Sequence, residues 1–168
     1  QLVGDFTDSH AYWYNFGLWK GDRHFMNDPM TSSANNMLPA LAFNRVAGKP
    51  FFVSEWDHPW PNEWRAESPL LMAAGGALQG WSGFCIHTYR YSLAEDVDMI
   101  GHGYRGIIDK RVTPDAIGGR SHRGGVFDTF NDPAKFGLFY HAALIMRRGD
   151  VRPAEKTVLV SADDPYER

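Results

Sequence analysis

The chain has 168 residues, room for one ordinary domain and hardly for two. Its composition, 43% hydrophobic and 22% charged, excludes a disordered or collagen-like chain. Seventeen Lys and Arg against twenty Asp and Glu leave a net charge of −3 with no block of one sign, so the electrostatic footprint of a nucleic-acid binder is missing, and nothing supports an anionic-membrane surface. Aromatic residues are the outlier: at 14% they exceed what a core of this size needs, and some are expected to face a ligand.

No apolar stretch approaches ~18 residues, so no membrane span is expected. The opening residues, Gln1 to Asp5, have neither a basic n-region nor an apolar h-region, so they do not read as a secretory signal, and the compartment stays open. The single cysteine, Cys85, cannot form an internal disulfide; in the apolar run Gly83-Phe84-Cys85-Ile86 it is expected as a small core side chain.

A first strand fits within Leu2 to Tyr12 and ends in the cluster Asp8-Ser9-His10-Ala11-Tyr12-Trp13. Residues 14 to 33 read as loop, with no sustained period and several Gly, Asn, Asp and Pro. A helix is expected from about Ala34 to Ala47, with Gly48 as its stop and Pro39 tolerable only in its first turn. Phe51-Phe52-Val53-Ser54, entered through Lys49-Pro50, has the form of a strand buried on both faces, ending at Glu55-Trp56. After a Pro- and Trp-rich loop, Ser68 is placed as the cap of a helix with Pro69 at its first position, running to Gln79. Gly75 and Gly76 weaken that helix by about 1 kcal/mol each against Ala, so close packing is expected there.

A third strand is expected over about Gly83 to Thr88. The segment from Arg90 to Asn131 is too long for an ordinary connection. A last helix opens with Asp132 and Pro133 and stops at Arg147-Arg148-Gly149; Val158-Leu159-Val160 has the makeup of one more short strand.

Buried strands alternating with helices imply an α/β fold of parallel βαβ units. Long loops follow the strands while the helix-to-strand joints are short, which places a site at the C-terminal strand ends. Three units are too few for a closed (β/α)8 barrel, and the chain begins almost directly on a strand, so it reads as the C-terminal portion of something larger, residues 1–150, with 151–168 a tail or the start of a β segment.

Glu55, directly after an apolar strand, is the sharpest chemical candidate, because a carboxylate there is costly to bury unless it is paired or used. The competing reading is an ion pair with a barrel Arg or Lys. His10 and Tyr12 share one side of their strand by alternation, with Trp13 beyond; a Tyr hydroxyl can aim a carboxylate and a His can donate to a substrate hydroxyl. His87 and Tyr89 share a side at the third strand end. Either pair could instead serve loop backbone. Trp81, ahead of the third strand, is assigned to the core, and the loop tryptophans Trp13, Trp19, Trp56, Trp60 and Trp64 follow strand ends, where flat faces could stack on a ligand or pin the loops. Asp57-His58 alone lacks the spacing of a metal site, so neither metal nor cofactor is expected. His102, His122 and the arginines 105, 111, 120 and 123 are assigned to the long last loop. No Gly-x-Ser-x-Gly elbow, dinucleotide fingerprint or Walker loop occurs.

His-x-Tyr at one strand end, then Pro-Phe-Phe-Val-Ser-Glu-Trp, then an aromatic strand one unit later, resembles the last three units of a clan-A glycoside hydrolase barrel. The resemblance covers about residues 1 to 90 and the closing helix near 132 to 148. It implies a retaining β-glycosidase with Glu55 as nucleophile, Tyr12 hydrogen-bonded to it, and His10 lining the adjacent subsite. The substrate would be an oligo- or polysaccharide, the partner the N-terminal part of the barrel, and the compartment secreted or periplasmic. A retaining mechanism needs a second carboxyl about 5–5.5 Å away, which that clan supplies from an Asn-Glu pair on strand four. Asn62-Glu63 has the letters but falls in the loop after Glu55, so the acid/base is expected upstream. The alternative reading is a non-catalytic carbohydrate-binding module or an inactive fragment.

Overall fold

A computed structural model describes residues 4–13, 27–59, 62–89, 127, 129 and 132–160. Within them the chain forms a three-stranded parallel sheet: β1 (Thr7–Tyr12), β2 (Phe51–Asp57) and β3 (Gly83–Ile86), in spatial order β1-β2-β3. Helix α1 (Met37–Phe43) joins β1 to β2, and α2 (Ser68–Gln79) joins β2 to β3. Past β3 come α3 (Pro133–Phe136) and α4 (Phe139–Arg148). The parallel α/β character matches expectation; the described residues make three strands rather than a closed barrel.

One face of the sheet carries the core. Ala11, Phe51, Val53, Trp56, Phe84 and Ile86 meet Met37 and Leu41 of α1, Met72 of α2 and Phe139 of α4, with Trp13, Met30 and Trp81 closing the ends. Burying Phe51, Val53 and Trp56 completely supplies about 1.5–3 kcal/mol per large side chain, the main force fixing the sheet to its helices. Phe52 and Ser54 lie half-buried on the other face, so among the described residues β2 packs into the helix-side core on one side only. Cys85 also belongs to that other face and is exposed, against the expectation of a core thiol.

β2 holds one residue more than its neighbours. Ser9 pairs with Val53 but His10 with Glu55, and on the other edge Val53 pairs with Phe84 but Trp56 with Ile86. The extra residue at Ser54–Glu55 is a β-bulge, rare in a parallel sheet, and it resets the alternation of side chains. Continued from Phe51 and Val53, strict alternation would send Glu55 into the helix-side core and Trp56 out of it. The bulge exchanges them. β2 also runs on to Asp57, so Glu55 lies within the strand and does not follow it.

Other boundaries differ for local reasons. β1 begins only at Thr7. α1 is half the expected length: the Asn36 side chain accepts from the Leu38 amide at 2.9 Å to start it, Pro39 falls in its first turn, and it ends at Phe43. Gly48 (φ 76°) is the left-handed position of the turn into β2 rather than the helix stop. Ser68 is already helical; its hydroxyl donates to the Arg65 carbonyl at 2.7 Å, closing a 3-10 turn over Arg65–Glu67 ahead of α2. Gly75 and Gly76 are where packing requires them: a Cβ on Gly75 would meet Leu38 at 2.9 Å, and one on Gly76 would meet the Trp81 ring at 3.0 Å.

The closing helix is broken in two at Gly137–Leu138, the low helix propensity of Gly prevailing over the flanking apolar period. The Asp132 side chain caps α3 and Gly149 (φ 68°) ends α4, as expected. Val158, Leu159 and Val160 form no strand and are exposed, the tail being tethered by Ala154 N–H to the Leu78 carbonyl at 2.8 Å.

Candidate functional site

The open face of the sheet gathers polar side chains at the C-terminal half of β1 and β2. On β1, alternation sets Asp8, His10 and Tyr12 on that face, while Ser9 turns back to accept from the Asn44 side chain at 2.9 Å. On β2 the bulge brings Ser54 and Glu55 toward the same three residues. The Tyr12 hydroxyl donates to Glu55 Oε2, and His10 Nδ1 lies 3.5 Å from the same oxygen. Glu55 Oε1 is left toward solvent, the Glu55 side chain being 37% exposed. Of the sequence candidates, Glu55, Tyr12 and His10 therefore come together in one contact set.

Behind His10 runs a second set that the sequence reading missed. His10 Nε2 is 2.8 Å from Ser54 Oγ, and the Ser54 hydroxyl donates to Asp8 Oδ2 at 2.6 Å. Asp8 Oδ1 accepts from two backbone amides, Ser9 at 2.8 Å and Ser54 at 2.9 Å. Desolvation pushes the Asp8 carboxyl up, but the hydrogen bonds from Ser54 and Ser9 and the nearby His10 outweigh it and hold Asp8 below the ordinary carboxylate value. Asp8 is thus an ionised acceptor at neutral pH. Its place was available in the sequence, at the same parity as His10 and Tyr12. Ser54 had no such signal, because nothing in Phe-Phe-Val-Ser-Glu-Trp marks a bulge.

Ser54, His10 and Glu55 in that order also trace the outline of a Ser-His-Glu hydrolase triad. The outline fails on its protons. The Ser54 hydroxyl proton and backbone N–H are both given to Asp8, so the hydroxyl is not aimed at His10 as its base and the amide is not free to hold an oxyanion.

The remaining candidates divide. His87 packs edge-on to the Tyr12 ring at 6.1 Å between centroids, and Phe127 touches both rings at 5.4 and 5.5 Å, so the third strand end contributes a wall beside Tyr12. Tyr89 is 57% exposed and rests on Phe136, at 5.6 Å. Trp56 and Trp13 are corrections: both are core residues. Trp56 is fully buried, stacked on Phe139 and edge-on to Phe84, because the bulge turns it to the helix side. Trp13 is buried with its indole N–H donating to the Asp28 carbonyl at 2.9 Å, which pins the loop returning to α1. Trp81 is in the core as expected, and Trp64 is exposed. Trp19, Trp60, His102, His122 and arginines 105, 111, 120 and 123 lie outside the described residues.

Below the site, Asp57 and His58 are fully buried. Asp57 Oδ1 pairs with the Lys135 ammonium, which also donates to the His58 carbonyl at 3.2 Å, and Arg65 pairs with Asp132. These ion pairs tie the end of β2 and its loop to the start of α3. Burial pushes the Asp57 carboxyl up to about 6 against the pull of Lys135. Burial likewise pushes the His58 imidazole down to about 3, opposed by the Asn62 side chain and reinforced by the charges of Lys135 and Arg65. Among the described residues no group of three or more His, Cys, Asp or Glu gathers as metal ligands. A surface cleft of about 700 Å³ lies between the end of α1 and residues 157–160, at the N-terminal end of β2 and away from Glu55.

Comparison with known proteins adds no relative: no family model, curated protein or solved structure matches this chain.

Proposed function

We propose that this chain is the C-terminal portion of a retaining glycoside hydrolase barrel acting on a β-linked saccharide, with Glu55 as the nucleophile. The observation that carries the reading is the Glu55 carboxylate, gripped through one oxygen by the Tyr12 hydroxyl and open at the other, at the C-terminal end of parallel strands. A hydrogen bond to Oε2 orients the group, so Oε1 is the atom that attacks the anomeric carbon. The glycosyl-Glu55 ester then yields to water, and the sugar leaves with retained configuration. Proton donation to the leaving oxygen falls to a carboxylic acid on another part of the barrel; Asp8, ionised and saturated by three donors, is unsuited to it.

Glu55→Gln in the protein carrying the whole barrel lowers turnover by orders of magnitude with an unchanged unfolding midpoint. Unchanged turnover ends the assignment. A second reading, a saccharide-binding surface without catalysis, is favoured by one fact: among the described residues no second carboxyl stands ready as a proton donor. Hydrolysis of aryl glycosides by the 168-residue chain alone would contradict it.

A further inference from the structure

Hydrogen-bond direction along β1 and β2 determines where the proton on His10 sits. Asp8 Oδ2 accepts the Ser54 hydroxyl proton at 2.6 Å, so Ser54 Oγ has only lone pairs left for His10 Nε2 at 2.8 Å. Nε2 must therefore be the N–H of the neutral ring, and Nδ1, 3.5 Å from Glu55 Oε2, carries the lone pair. Two acceptors then face each other until the ring gains a second proton. Asp8 cannot reach His10 itself, because Oδ2 is 3.8 Å from Nε2, beyond a hydrogen bond.

We propose that Asp8, acting through the Ser54 hydroxyl, fixes the tautomer of His10 and so decides whether the imidazole offers Glu55 a lone pair or a proton. Asp8 and Ser54 are positioning residues in this scheme, neither reaching the reacting atoms. Among the described residues, the charged and titratable groups facing the ring are Asp8 and Tyr12 from β1 and Glu55 from β2, with His87 beyond Tyr12. Protonating His10 adds a second donor to the oxygen already held by Tyr12 and draws charge from the carboxylate. The consequence for turnover rests on Glu55 being the nucleophile; the tautomer does not.

Asp8→Asn makes a sharp test, because the two backbone amides on Oδ1 dictate how the new amide must sit. Its carbonyl keeps those amides, its NH2 faces Ser54 Oγ, and the hydroxyl turns its proton onto His10 Nε2. The neutral ring should then carry its proton on Nδ1, toward Glu55. Long-range ¹H–¹⁵N spectra of labelled protein, above the imidazole titration, read this directly. The unaltered protein shows Nε2–H as the major form. Asp8→Asn reverses it, by roughly fivefold or more in the tautomer ratio, the worth of one net hydrogen bond.

Ser54→Ala removes the link without altering charge and also favours Nδ1–H, so it carries the test should Asp8→Asn fail to fold. Nδ1–H in the unaltered protein, or Nε2–H persisting in either folded variant, overturns the proposal. A reversed tautomer in a protein with no glycosidase activity upholds the relay and counts against the nucleophile assignment alone.

Discussion

Replacing His58 by Asn exposes a compensation between two buried groups under the site. In the unfolded chain His58 binds its proton below about 6.5 and Asp57 is charged above about 3.8. Folded, His58 stays neutral down to about 3, while Asp57 holds a proton below about 6. The depressed imidazole loses stability as pH falls, whereas the raised carboxyl loses it as pH rises. Between about pH 4 and pH 6, native and unfolded states thus each hold one proton on this pair, and its contribution to stability is flat. His58→Asn removes one half. The variant should then gain stability on acidification across that window by about 1 kcal/mol per pH unit, on the order of 2–3 kcal/mol in all, relative to the parent. Urea unfolding at stepped pH, followed by tryptophan fluorescence, measures it. Parallel pH profiles for parent and variant would refute the buried-proton argument, whatever constant penalty the cavity adds.

Lys135→Met leaves Asp57 buried without its counter-charge, so that the group is either unpaired or forced to take up a proton, and should cost about 3–5 kcal/mol in urea unfolding at neutral pH, part of it recovered by adding Asp57→Asn. Trp56→Ala should cost about 3–5 kcal/mol in thermal unfolding, as a fully buried ring, while Tyr89→Ala stays within about 0.5 kcal/mol. A Trp56 that walled a sugar site would give the small value instead.

How much was legible follows from where local rules suffice. β2 announced itself through an apolar run bounded by Pro50, and the glycines of α2 through their cost to a helix. Tyr12 and His10 could be placed beside Glu55 because alternation on β1 is regular and consecutive parallel strands are neighbours. Trp56 was misplaced because its side depends on the bulge at Ser54–Glu55, which no glycine or proline marks. Cys85 was misplaced because an apolar run does not reveal which sheet face is covered. Lys135 escaped notice since its partner, Asp57, is 78 residues away, and no local pattern encodes that distance.

The nucleophile assignment meets its most direct test in covalent trapping. A 2-deoxy-2-fluoro glycoside with a good leaving group, applied to the protein with the whole barrel, should load one sugar onto the peptide containing Glu55, as read by peptide mass. The Glu55→Gln protein should remain unlabelled. Label on another carboxylate, or steady turnover of the natural linkage with no trapped ester, would contradict the account.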